Sequence, residues 1–262
     1  MNKNIFIIAS IGLLCLVGCK EEEEPIEEIP SPDVVSNINI ENGLIQYYTF
    51  DEGNANDMTS GKHNGMTFNN PSYITDTPNG KGKAIFLNSA KEQYINIPYC
   101  PVSGQEAYSV AFWVKDFGTG TFITTICGNY YNSPTVRVNE EGYIVLHTGG
   151  YATDGRFYST FKSVPFEKYQ ATGWHHIAIT ANPTNEGNKD NGLLSLYVDG
   201  LLIDNIVTGS GYIKAEGNKM QIGGNADGKF DYWAAPMKID NIRIYNRCIS
   251  TSEVNAIYTL EK

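Results

Sequence analysis

The sequence predicts an all-β fold: a sandwich of two antiparallel sheets with one short C-terminal helix. Three observations carry this. Short runs of alternating apolar residues recur along the chain, most of them divided by Gly, Asn, Asp or Pro. Val198-Asp199-Gly200-Leu201 sets Asp-Gly between two such runs, a strong hairpin signal. Only Ser250–Leu260 has helical character, and no β–α–β rhythm appears that would build a parallel sheet. The 17 Tyr, 11 Phe and 26 Gly suit strands joined by tight turns.

From the N-terminus, Lys3 supplies a positive end and Ile5 to Gly18 an apolar run. That run is too short to span a bilayer as a helix and fits the apolar core of a secretory signal. It closes on Leu16-Val17-Gly18-Cys19, which resembles the lipobox of bacterial lipoproteins. The resemblance implies cleavage before Cys19, with Gly18 small enough to enter the peptidase and the Cys19 thiol receiving a diacylglycerol. Lys20, Glu21 to Glu24, Pro25, Glu27, Glu28, Pro30 and Pro32 follow without apolar periodicity, the composition of a disordered tether. A lysine and acidic run beside a lipidated cysteine also resembles the surface-export signal of Bacteroidetes lipoproteins. It implies an outer-membrane anchor with surface display, the periplasmic face being the alternative. The chain thus divides into a signal (1–18), a lipidated Cys19 with its tether (19–39) and a domain (40–262).

The domain is long enough for one substantial core. The chain holds 19 basic and 29 acidic residues. Removing the 2 and 7 of residues 1–33 leaves 17 and 22, a mildly acidic balance with no basic footprint for nucleic acid. Once the signal is removed and Cys19 lipidated, Cys100, Cys127 and Cys248 are the thiols left, in no metal-binding spacing. An oxidising compartment allows one disulfide and one remaining thiol. The sequence does not say which pair joins.

The expected strands run through Leu44–Phe50, Ala84–Leu87, Tyr94–Ile97, Tyr108–Lys115, Phe122–Cys127, Thr135–Val138 and Tyr143–His147. They continue through Phe157–Phe161, Trp174–Ala181, Leu193–Val198, Leu201–Val207, Met220–Ile222 and Lys238–Tyr245. The closing helix has Ser250 as its N-cap and Glu253 three residues on, the spacing of a capping box.

Gly173–Asn182 (GWHHIAITAN) followed by Leu194–Gly200 (LSLYVDG) resembles the central motif of laminin-G-like domains, within the concanavalin A-like jelly-roll superfamily. LIQYYTFDEG (Leu44–Gly53), NDMTSGKHNG (Asn56–Gly65), GKGKAIFLN (Gly80–Asn88), YSVAFWVK (Tyr108–Lys115) and KIDNIRIYNR (Lys238–Arg247) are similar to the family's other motifs, in the same order. The likeness spans roughly residues 43–260. It implies two curved antiparallel sheets in a jelly roll, often a structural calcium ion, and binding of carbohydrate or protein.

Strand alternation draws attention to two aspartates. Asp240 alternates in phase with Ile242 and Ile244, and Asp51 with Ile45, Tyr47 and Thr49. If those apolar residues face the core, both carboxylates point inward and need a partner. First and last strands are neighbours in the family, and the loop Asn54 to Gly65 offers Asp57 and Asn64. Asp51, Asp57, Asn64 and Asp240 are therefore the candidate ligands for Ca2+, which prefers hard oxygen donors. The alternative is that they accept backbone N–H bonds at strand ends.

Sugar recognition needs flat aromatic faces and polar groups for hydroxyls. Loop residues of that kind are Tyr130, Tyr131, Tyr151, Arg156, Tyr232 and Trp233, with Arg137 on a strand. Trp233 suits ligand stacking or loop packing equally, whereas Trp113 and Trp174 lie in strands and read as core. His175 and His176 fall on opposite faces of one strand and read as core or interface residues. Glycosidases of this fold present Glu-x-Asp-x-x-Glu on one strand, and no such string occurs, nor Gly-x-Ser-x-Gly. The resulting expectation is a non-catalytic, glycan-binding envelope lipoprotein. A protein-binding adhesin or accessory subunit of a surface complex, and a cryptic glycoside hydrolase or lyase, are the competing readings.

Overall fold

The computed structural model describes residues 37–100, 102–103, 107–117, 121–125, 135–138, 143–151, 157–165, 173–182, 192–208, 219–223 and 236–262. The signal, Cys19 and most of the tether lie outside them. The described strands are β1 (Leu44–Tyr48), β2 (Met66–Thr67), β3 (Ser72–Ile74), β4 (Ala84–Leu87), β5 (Ile95–Ile97), β6 (Tyr108–Lys115), β7 (Thr121–Thr125) and β8 (Thr135–Val138). β9 (Tyr143–Tyr151), β10 (Phe157–Pro165), β11 (His175–Asn182), β12 (Gly192–Val198), β13 (Leu201–Thr208), β14 (Met220–Ile222) and β15 (Met237–Tyr245) complete them, before the helix α1 (Thr251–Glu261). Each run expected from the sequence forms a strand. β2 and β3 were not expected, because two or three residues are too few to alternate.

The strands build two antiparallel sheets. One runs β13-β12-β11-β6-β15-β4-β3, with β1 also paired to β15; the other runs β10-β9-β8-β7-β14-β5-β2. Val110, Phe112 and Val114 of β6 and Ile177 and Ile179 of β11 join the core between the sheets. Ala111 and Ala178 belong to a second cluster with Val254 and Ile257 of α1. The β6–β11 region is thus buried on both faces, and YSVAFWV reads as one apolar run for that reason. The helix begins as expected: Ser250 Oγ accepts from Glu253 N, and the Glu253 carboxylate accepts from Ser250 N.

The hairpin is also as expected. Asp199 and Gly200 have φ of 53° and 81°, the left-handed pair that a type I′ turn requires. A Cβ on Gly200 would stand 2.9 Å from Asn255 Oδ1, so bare backbone here lets α1 rest on the turn. Among the described cysteines, Cys100 is disulfide-bonded and Cys248 is a free thiol.

Strand phase departs from expectation twice. In β15 the pairing with β6 shifts between Asp240 and Arg243, and Asn241 has a φ of 49°. This bulge adds one residue, so Met237 and Ile239 on one side of it and Ile242 and Ile244 on the other all reach the core. Asp240 therefore leaves the face of Ile242 and Ile244. In β1 the residues buried in the sandwich are Gln46 and Tyr48, followed by Phe50, rather than Ile45, Tyr47 and Thr49. Two large aromatic surfaces set the phase, and the Gln46 amide is carried inward without a hydrogen-bond partner. Asp51 is consequently exposed.

The bulge also turns Arg243 toward the helix. Its guanidinium lies 3.9 Å from the centre of the Tyr47 ring, and Nε donates to Glu261 Oε1 at 2.7 Å. Glu261 Oε2 accepts from Trp113 Nε1 at 3.0 Å. Burial pushes the Glu261 carboxyl up, while Arg243 and Trp113 oppose that shift. Removing Glu261 leaves the buried Arg243 guanidinium leaning on the exposed Glu41 carboxylate, 3.2 Å from its Nη1. Glu261→Ala is expected to lower unfolding stability by about 3 kcal/mol. Arg243→Met combined with Glu261→Met should recover part of the loss, which urea titration at neutral pH will measure.

Candidate functional site

One buried side chain organises the loop after β1. Asp57 Oδ1 accepts from Tyr47 N at 3.1 Å and Thr59 N at 2.9 Å, and Oδ2 accepts from His63 N at 3.0 Å. Thr59 Oγ1 also donates to this carboxylate, and Asn64 Oδ1 takes the Asp57 N–H at 3.0 Å. Tyr48 Oη donates to His63 O at 2.7 Å and ties the loop to the core. The result fixes His63 against Tyr99, with ring centroids 4.1 Å apart and planes 12° from parallel. These rings line a cleft of about 410 Å³, with Leu44, Ile45, Thr59, Ser60, Gly61 and Asn246. Tyr99 is 45 % exposed there, a large share for an aromatic residue held by stacking. Neither His63 nor Tyr99 stood out in the sequence, since 35 residues separate them and only the fold joins them.

Of the residues proposed from sequence for ligand binding, Tyr130, Tyr131, Arg156, Tyr232 and Trp233 lie outside the described residues. Arg137 occupies β8, in register with Phe122 of β7 and Val145 of β9. Tyr151 ends β9 opposite Phe157. A register row crosses the whole seven-stranded sheet through Met66, Asn96, Gln221, Thr125, Thr135, His147 and Phe161. Asn96 and Gln221 alternate with core residues Ile95, Ile97, Met220 and Ile222, which puts both on the sheet's other face.

The four oxygen-bearing residues proposed for calcium separate into two places. Asp57 and Asn64 use their oxygens on loop hydrogen bonds and do not fit a metal. Asp51 and Asp240 both line a pocket of about 280 Å³, with Asn79, Lys81, Asn241 and Arg243. Asp51 Oδ1 accepts from Lys83 N at 2.9 Å, and a Cβ on Gly82 would collide with that carboxylate. Asp240 is 3 % exposed; burial, and then the Asp51 and Glu261 charges, push its carboxyl up to about 8 against the pull of the Asn241 N–H. Asp51 and Asp240 are the carboxylates that would have to hold calcium here, since Asn79 Oδ1 accepts from Lys81 N at 2.9 Å and Asn241 Oδ1 from Tyr47 Oη at 3.0 Å. Among the described residues no group of three or more His, Cys, Asp or Glu side chains is placed to hold a metal.

The two-sheet sandwich has the fold of a lectin-like domain. A family model described as the concanavalin A-like lectin/glucanases superfamily, of laminin-G type, matches residues 89–255, and the chain belongs to that family. Among solved structures, it resembles the binding domain of Paraclostridial mosquitocidal protein 1 at 16 % identity and a TM-score of 0.61, covering 84 % of this chain and 52 % of that one. It also resembles domain 4 of AbnA, a GH43 extracellular arabinanase from Geobacillus stearothermophilus solved with arabinotriose. There the identity is 21 %, the TM-score 0.58, and the coverage 84 % and 98 %. The receptor-binding domain of botulinum neurotoxin type G matches at 15 % identity and 0.59, over 83 % and 51 %. This chain spans about half the length of the toxin domains.

A raised Asp240 fixes the sign of its pH effect. With chelator present, its contribution is fully present below about pH 4, then falls as pH rises through about 8. Asp240→Asn should flatten that slope in thermal melts. Added calcium should raise the melting temperature of the parent protein and leave Asp240→Asn unmoved; no rise in the parent would end the calcium reading.

Proposed function

We propose that this protein is a lipid-anchored envelope protein whose laminin-G-like domain binds glycan and does not cleave it. The His63–Tyr99 cleft is the observation that carries the reading. An exposed tyrosine face backed by a second ring offers a flat apolar surface for one side of a sugar, and Thr59, Ser60 and Asn246 supply groups for its hydroxyls. AbnA domain 4, matched almost from end to end and solved with arabinotriose, supports carbohydrate as the ligand class. The toxin domains support binding in general. Among the described residues the cleft lining holds no Asp or Glu, whereas glycoside hydrolysis needs two carboxylates astride the scissile bond. Calcium at Asp51 and Asp240 would stiffen the neighbouring loops.

The anchor rests on Leu16-Val17-Gly18-Cys19 and the acidic, proline-punctuated segment behind it. Several acyl chains, at roughly 0.8 kcal/mol per buried CH₂, suffice for stable attachment.

Tyr99→Ala should weaken glycan affinity at least tenfold in calorimetry while leaving the melting temperature nearly unchanged. Equal affinity would remove the cleft from consideration, and silence on arrays of plant, host and microbial glycans would favour a protein ligand. In cells fed labelled palmitate, Cys19→Ala should lose the label and leave the membrane fraction. Label retained in that variant would refute the anchor.

A further inference from the structure

The opposite end of the eight-stranded sheet holds another cavity, of about 340 Å³, that neither the His63–Tyr99 cleft nor the Asp51–Asp240 pocket explains. Pro78, Trp113, Trp174, Asp199, Tyr258 and Lys262 surround it, with His175. Trp174 is half-buried, and its Nε1 donates to Asp76 Oδ1 at 3.1 Å. Asp76 is itself held by Lys115 at 2.9 Å and Lys238 at 2.6 Å, so the indole is tied at one edge while its ring lines the cavity. Tyr258 stacks on Trp113 at 5.6 Å.

Asp199 is a fixed acceptor. His175 Nδ1 lies 2.8 Å from its Oδ2, and His176 N donates to Oδ1 at 3.0 Å. Each oxygen has one such partner, and the side chain is still 28 % exposed. A carboxylate held this way can take a hydrogen bond on each oxygen from two adjacent hydroxyls without further ordering. Facing it, the Lys262 ammonium donates to Tyr258 Oη at 2.8 Å and keeps two protons for a ligand. The carboxylate and the ammonium thus offer a neutral ligand one acceptor group and one donor group. The half-buried Trp174 ring, the forked acceptor and the opposed donor together suit a polyol ring.

We propose that this cavity is a second, independent binding site for a neutral sugar residue. The ligand class rests on the glycan reading above; the position of the cavity does not. Asn246, just past the end of β15, lines the first cleft, while Lys238 near its start holds Asp76 beside the second. Eight residue-to-residue steps separate them, about 26 Å at roughly 3.3 Å per step. One sugar cannot fill both sites, but one polysaccharide chain can reach both.

Calorimetry and tryptophan fluorescence on the folded protein test this, using arabinotriose and the methyl pyranosides of glucose, galactose, mannose and N-acetylglucosamine as probes. The expected result is two sites in the parent protein and one in Tyr99→Ala, with that remaining site still changing tryptophan emission. Trp174→Ala in the Tyr99→Ala background should then abolish binding. Lys262→Met, on an exposed side chain, serves the same purpose and should cost the second site at least fivefold if Trp174→Ala does not fold. A single site lost entirely with Tyr99→Ala would overturn the second site and leave the first cleft standing. No binding of any probe by the parent would overturn the second site together with the glycan reading.

Discussion

One extra residue in β15 sets the terms for the helix-bearing face. Without the bulge at Asn241, a strand holding Met237 and Ile239 in the core would turn Ile242 and Ile244 away from it. With it, both apolar pairs reach the core, and the polar residues between and beyond them gather on the other side. Asp240 enters the pocket with Asp51, and Arg243 meets Glu261. The helix is held by that ion pair as well as by Val254 and Ile257. Tyr47, displaced from the core by the phase of β1, becomes the surface on which the guanidinium lies.

A buried carboxylate does different work at each of three positions. Asp57 is saturated by donors and shapes a loop. Glu261 is matched by a fixed cation. Asp240 has one backbone donor and a neighbouring negative charge, so burial raises it toward the neutral form. Identical chemistry thus gives a scaffold, a clamp and a titrating group, according to how many donors the fold supplies.

Much of the fold was legible because its signals are local. Asp199-Gly200 needs only a two-residue turn, and Ser250 with Glu253 needs only one helical turn. Continuous burial of Tyr108–Val114 showed as an unbroken apolar run. What escaped was set by contacts distant in sequence or by a break in period. Alternation assumes one residue per pleat, and a bulge at Asn241 invalidates it with no glycine or proline to warn of it. Phase in β1 turned on which of two apolar sets packs better, a tertiary choice. Asp51 and Asp240 were expected together and do line one pocket, yet on the helix-bearing side. Asp57 looked like a metal ligand because its type and loop are right for one, whereas its donors come from residues 47, 59 and 63 once the loop closes.

Pairing of β1 with β15 has a mechanical consequence. The first cleft is bounded by Leu44 and Asn246, where the chain enters the sandwich and where its last strand ends. Arg247 Nε donates to Asn42 O at 2.8 Å, and Tyr245 Oη donates to Ile40 O at 2.9 Å, fastening the entering chain to that strand. A load between an N-terminal anchor and a ligand in this cleft would cross those bonds and the first residues of β1. Tyr99 follows β5 of the other sheet, so the rest of that load would pass from sheet to sheet beside the cleft, through the His63 stack and the loop that Asp57 and Tyr48 hold.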